Sequence, residues 1–209
     1  MTGASYLSSR RKRALDLLFG GCALLLSSPV LAACVVAIRL ETHGHPVYRQ
    51  RRVGRAGAPF ELYKLRTMVS GAEMMGKGLA VDAGDDRITR FGTWLRRTSF
   101  DEVPNVVNVL RGEMSLVGPR PTVQVQVDRY DERQRHRLDA LPGITGWAQV
   151  NGRASLPWHE RIELDLWYIE HASLRLDLRI LASTAHMAIT GHGLYRGETG
   201  GWRETPRRP

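Results

Sequence analysis

From Leu17 to Ile38 the chain runs for 22 residues without a charge. As a helix that stretch reaches about 33 Å, enough to cross a hydrocarbon core of about 30 Å. Pro29 sits near its middle, behind Ser27 and Ser28. Proline removes a helical hydrogen bond and crowds the preceding turn, so a kink or break is expected at Ser28-Pro29. A neighbouring serine hydroxyl can satisfy the backbone group that proline frees. Beyond this segment the pattern shortens. Residues 46–50 and 60–66 read as strands around a turn-rich Val53–Pro59, and 70–86 as a loop. A helix is predicted over 91–97. Another starts near Ser99, with Asp101 and Glu102 in its first turn and Pro104 just inside. A strand at 115–117 leads into the turn Gly118–Pro121, and 122–139 reads as a solvated helix stopped by Pro142-Gly143. Residues 158–171 and 175–189 carry helical apolar periodicity. The pattern predicts an α/β chain, mostly helical with a few short strands.

Charge changes the picture at the apolar segment. The net charge is +9, and its position matters more than its size. Arg10 to Arg13 supply one basic block. A second spans Arg39 to Arg66, and the rest of the chain balances. Basic residues mark the cytoplasmic side of membrane segments, and here both flanks are basic. A segment that enters, turns at Ser28-Pro29 and returns to the same face satisfies both observations. A kinked spanning helix, a secretory or lipoprotein signal around Leu31–Cys34, and a buried core helix are the competing readings. Cys22 and Cys34, the two cysteines, both lie in this segment, which excludes a disulfide framework. Residues 67–209 are nearly neutral, against a nucleic-acid-binding face.

Asp101-Glu102 is the acidic pair of interest. A carboxylate at a helix start stays ionised and can attack phosphorus, although ordinary capping explains the same residues. Lys64, Arg66, Arg96, Arg97, Arg120 and Arg153 stand at strand ends or in turns, where guanidinium groups suit a diphosphate; plain surface charge is the alternative. Asp177, within an apolar run, reads as an outward-facing helix residue. No phosphate-binding glycine loop, nucleophile elbow or zinc-spaced His/Cys set occurs.

Four ordered blocks carry a resemblance: PVYRQRRVGRAGAPFELYKLRTM (46–68), DDRITRFGTWLRRTSFDEVPNVVNVLRGEMSLVGPRP (85–121), LPGITGWAQVNGR (141–153) and DLWYIEHASLRLDLRIL (165–181). The chain resembles the bacterial sugar transferases, the monotopic phosphoglycosyl transferases. The resemblance implies an N-terminal re-entrant membrane helix hairpin hinged at Ser28-Pro29 (1–40). It also implies a membrane-associated cytosolic catalytic domain with amphipathic interfacial helices (41–190), followed here by a flexible tail (191–209). It implies transfer of a sugar phosphate from a UDP-sugar to undecaprenyl phosphate, with UMP released and a covalent phosphosugar held on Asp101. Glu102, with Asp101, would hold Mg²⁺. Lys64, Arg96, Arg120 and Arg153 match basic positions of the family's site and Asp177 an acidic one; Arg66 is grouped with them as substrate-binding. Anionic lipids at the cytoplasmic face of the bacterial inner membrane are the implied surroundings. A homo-oligomer is left open, nucleic acid is not a partner, and exopolysaccharide assembly is the expected context. A non-catalytic membrane-surface scaffold that kept the fold is the rival reading.

Overall fold

The computed structural model describes residues 2–75, 85–152 and 156–190. Two helices open the chain, α1 (Gly3–Leu7) and α2 (Arg10–Glu41). A hairpin follows, β1 (Val47–Val53) and β2 (Pro59–Leu65), then α3 (Arg90–Thr98). A 3-10 helix, Phe100–Asn105, runs into α4 (Val106–Arg111) and β3 (Ser115–Val117). Two short helices, α5 (Gln124–Val127) and α6 (Glu132–Arg135), precede β4 (Gly143–Thr145) and α7 (Trp147–Val150). The long helices α8 (Trp158–His171) and α9 (Leu174–Thr190) finish the described chain. The mostly helical character with a few short strands is as the sequence predicts. The 122–139 segment is not one solvated helix. It breaks into short pieces because Val127, Tyr130 and Arg137 are drawn into the interior. The strand β4 and helix α7 were not anticipated; three residues of strand and four of helix are too short for periodicity to reveal. The tail 191–209 lies outside the described residues.

Helix α2 is one helical element through Pro29. Proline leaves the Leu25 carbonyl without its usual donor, and Ser28 Oγ donates to that oxygen at 2.8 Å. The serine compensation expected from the sequence is therefore present. The helix is long and apolar enough to cross a membrane, and only 11% of its most apolar 18-residue window is buried, which excludes a core helix. Its buried residues lie near its two ends: Lys12, Asp16 and Gly20, then Cys34 and Ile38. Gly20 lies against Val106 and Val109 of α4, and Arg13 donates to the Val109 and Leu110 carbonyls. Cys34 and Ile38 pack with Leu65 of β2 and Leu95 of α3. Between them, from Gly21 to Ala33, no residue is buried.

β1 and β2 pair antiparallel, with Tyr48 opposite Lys64, Gln50 opposite Leu62 and Arg52 opposite Phe60. Facing residues share a side of the ribbon, so these six line one face. Phe60 and Leu62 on that face pack on Val109 and Met114. Buried Asn108 fastens α4 to β2, its Nδ2 donating to the Glu61 carbonyl at 2.7 Å. β3 and β4 pair in parallel, Ser115 with Gly143 and Val117 with Thr145. A Cβ on Gly143 would sit 2.1 Å from the Gly118 nitrogen, so only glycine permits this approach of two backbones. α8 turns its apolar side inward, with Ile162, Leu166, Tyr168 and Ile169 buried. The flanking cores gather around Tyr168 and Ile180, and around Tyr130 and Ile162.

Candidate active site

The acidic pair is placed by a reversal at Ser99. That residue caps α3 in the left-handed region, φ 56°, and the 3-10 helix begins at the next residue. A non-glycine residue held there costs on the order of 1 kcal/mol. The strain turns the chain so that Asp101 and Glu102 fall in the first turn, as expected, against β2.

The two carboxylates have different surroundings. Glu102 Oε1 accepts from Lys64 Nζ at 2.6 Å and from Arg120 Nη2 at 2.8 Å. Burial opposes its ionisation, but Arg120 and Lys64 outweigh that and hold it well below the usual carboxylate range. Asp101 is 9% exposed, and no described residue donates a hydrogen bond to its carboxylate. Burial pushes its pKa up to about 6, with Glu102 adding to the rise while Lys64, Arg96 and Arg120 restrain it. It is ionised at neutral pH, partly desolvated and without a donor among the described residues, which is the state of a reactive oxygen nucleophile.

Arg120 stands in the Pro119–Pro121 turn, which is held from three sides. Gly143 N donates to Pro119 O at 2.8 Å, Val53 N to Thr122 O at 2.9 Å, and Arg137 Nη2 to Arg120 O at 2.7 Å. Arg137 is itself fixed by Asp165 Oδ2 at 2.7 Å and by the Tyr130 hydroxyl. Glu102 beside Arg120 keeps its guanidinium protonated despite burial.

The residues singled out in the sequence are thus brought together only in part. Asp101, Glu102, Lys64 and Arg120 converge, and Arg96 contributes to the field at Asp101 while its Nε donates to Thr67 Oγ1 at 2.8 Å. Arg66 bonds elsewhere, donating to the Thr42 carbonyl and hydroxyl at 2.8 and 2.7 Å, and so ties the end of β2 to the end of α2. Arg153 lies outside the described residues. Asp177 does not face outward, as its apolar run suggested. It is buried, and its oxygens accept from Lys12 Nζ at 2.7 Å, Tyr168 OH at 2.7 Å and Tyr6 OH at 2.9 Å. Asp16 completes that cluster, taking Lys12 at 3.1 Å and the Leu116 N–H at 3.1 Å. The cluster pins the start of α2 to β3 and α9. One residue of the site was missed in the sequence. Arg52 lines the same cavity as Lys64, Glu102 and Arg120. Its period-two relation to Lys64 across the hairpin was the available signal, hidden among three neighbouring arginines.

Among the described residues no three His, Cys, Asp or Glu side chains gather as a metal-holding group. The donor set at hand is Asp101 and Glu102, with one Glu102 oxygen already taken by two cations. That set suits a cation such as Mg²⁺, which is usually held by one or two carboxylates and completed by substrate phosphates.

The family model for bacterial sugar transferases matches residues 7–191. The chain belongs to the bacterial sugar transferase family. It is 38% identical to an uncharacterized sugar transferase of Bacillus subtilis, over 88% of this chain and 89% of that one. It is 42% identical to a UDP-glucose:undecaprenyl-phosphate glucose-1-phosphate transferase of Caulobacter vibrioides, over 88% of this chain and 72% of that one. It is 40% identical to the UDP-N-acetylgalactosamine-undecaprenyl-phosphate N-acetylgalactosaminephosphotransferase of Aeromonas hydrophila, over 87% of this chain but only 44% of the relative. Several relatives are thus about twice as long as the part the chain matches, while the Bacillus protein is matched over nearly its whole length. The apolar helix and these relatives together point to a membrane-associated transferase.

Proposed function

We propose that this sugar transferase moves a sugar-1-phosphate from a UDP-sugar to undecaprenyl phosphate in two steps, through a phosphosugar carried on Asp101. The observation that carries the reading is the contrast within the acidic pair: Glu102 is clamped by Lys64 and Arg120, whereas Asp101 is buried and no described residue donates to its carboxylate. In the first step an Asp101 oxygen bonds to the sugar-side phosphorus. The bond from that phosphorus to the bridging oxygen breaks, and UMP leaves with the electron pair. In the second, a phosphate oxygen of undecaprenyl phosphate attacks the same phosphorus. The Asp101–phosphorus bond breaks and the carboxylate is restored. Lys64, Arg96 and Arg120 orient the diphosphate and neutralise it. Glu102, with Asp101, would hold Mg²⁺, which when bound supplies charge neutralisation at the phosphates.

Named relatives use different sugars, glucose and N-acetylgalactosamine among them. That supports a shared core which recognises the diphosphate and the lipid. Membrane seating supports the same reading. The uncovered part of α2, Gly21 to Ala33, is only about 20 Å long, short of a hydrocarbon core of about 30 Å. Both of its ends are anchored in the same body. A helix that enters the membrane and returns to the cytoplasmic face fits this better than one that crosses, and basic flanks bind anionic head groups. Leu174 and Leu178 of α9 and Trp94 of α3, all exposed, suit the interface.

UMP release from a panel of UDP-sugars, with undecaprenyl phosphate and Mg²⁺, tests the activity. Asp101→Asn is expected to lower the rate by about 10³-fold or more. Full activity in that variant, or no UMP with any common sugar, overturns the reading.

A further inference from the structure

The geometry points to Arg52 as a second guanidinium ligand, beside Arg120, for the phosphate of the departing nucleotide. This rests on the UDP-sugar reading above but assigns a residue and a subsite that the reading does not need. An open cavity of about 270 Å³ lies between β1, the 3-10 helix and the Pro119–Pro121 turn. Arg52, Lys64, Glu102, Asn105 and Arg120 supply its polar wall. Glu102 is in that wall and Asp101 is not, so the cavity adjoins the clamped carboxylate rather than the nucleophile. In a displacement at phosphorus the attacking and leaving oxygens are roughly in line. The phosphate that leaves therefore belongs away from Asp101, and a cavity lined by Glu102 but not by Asp101 is a place for it.

Arg52 has the unused hydrogen-bonding capacity of an anion ligand. No carboxylate of the described residues lies within ion-pairing distance of it. Its Nη1 donates weakly to the Pro121 carbonyl at 3.4 Å and its Nη2 to Gln50 Oε1, both neutral acceptors. Its Nε is fully enclosed and has no partner. A buried donor without an acceptor is costly, and a phosphate oxygen relieves it. A second unpartnered polar atom, Asn105 Oδ1, lies in the same wall; turned over, that amide presents its NH₂ instead. The electrostatics agree. Burial and then the neighbouring Arg120 depress the Arg52 pKa to about 10, and Tyr48 and Glu102 offset only part of that.

The test is direct binding of UMP and of uridine to the full chain in nanodiscs by calorimetry, which needs no turnover. Arg52→Gln is expected to weaken UMP on the order of 10- to 100-fold, the worth of charge-assisted hydrogen bonds, and to leave uridine unchanged. Arg52→Lys, which keeps the charge without the fork, is expected to fall between. Arg49→Gln, removing an exposed arginine of the same strand, controls for net charge and is expected to change nothing. Equal UMP binding by wild type and Arg52→Gln overturns the inference and leaves the proposed function standing. If wild type binds inorganic pyrophosphate but not UMP, and Arg52→Gln weakens pyrophosphate, the subsite stands and the nucleotide reading falls. A raised KM for undecaprenyl phosphate with unchanged UMP affinity overturns the assignment in favour of the lipid phosphate.

Discussion

Asp101→Asn should make the protein more stable while it destroys the activity. The Asp101 carboxyl is raised from 3.8 to about 6 in the folded chain, so keeping it ionised costs the fold on the order of 3 kcal/mol. That figure is already net of the attraction from Lys64, Arg96 and Arg120. Asparagine removes the charge and retains the shape. At pH 8 a gain of about 2–3 kcal/mol corresponds to a melting temperature higher by roughly 5–10 °C for a chain of this size. The sign of the pH dependence follows from the direction of the shift. As pH falls through about 6, the folded wild type takes up a proton that the unfolded chain does not bind until about 3.8. Wild type therefore catches up, with the gap about half closed at pH 5 and nearly gone at pH 4. Thermal unfolding of both proteins in nanodiscs from pH 8 to pH 4 reads this directly. A variant no more stable than wild type at pH 8, or a gap that does not narrow on acidification, refutes the burial argument. The active-site carboxylate would then be an ordinary surface acid.

Four further outcomes follow from the same contacts. The kcat/KM for the UDP-sugar should fall about tenfold per pH unit below about 6, as Asp101 protonates; a flat profile between pH 7 and 5 counts against Asp101 as nucleophile. Asp177→Ala should cost about 3–5 kcal/mol, because the Tyr6 hydroxyl loses its acceptor while Lys12 and Tyr168 are left with only Asp16 and the Val117 carbonyl. In Asp177→Asn the KM for the UDP-sugar should hold, and a raised KM without loss of thermal stability would return Asp177 to the site. Arg137→Lys should lower kcat/KM roughly 10-fold or more, since a single ammonium cannot hold Asp165, Tyr130 and the Arg120 carbonyl together; unchanged kinetics would show that the turn positions Arg120 unaided. Cysteines introduced at Ser5 and His45, with Cys22 and Cys34 replaced, should be labelled from the same side of the membrane; opposite sides would establish a spanning helix.

Sequence alone was strongest where a physical requirement is local. An uncharged stretch of 22 residues is a statement about solvent, and the compensation of Pro29 by Ser28 needs only the neighbouring turn. Asp101-Glu102 at a helix start and the amphipathic helices 158–171 and 175–189 also follow from nearest neighbours along the chain. What sequence could not supply was partnership across distance. Nothing local says that Glu102 is the carboxylate held by Lys64 and Arg120, or that its neighbour is left bare. Asp177 and Arg66 look no different from Asp101 and Lys64 in a string of letters. The fold ties the first two to the ends of α2 and brings the others together beside Glu102. Arg52 shows the limit most clearly. Among Arg49, Arg51, Arg52 and Arg55, only the hairpin register puts one of them on the face of Lys64. Charge and hydropathy are properties of single residues and can be read in order. Burial and pairing are properties of a surface that exists only after β1, the Pro119–Pro121 turn and the 3-10 helix have closed on one another.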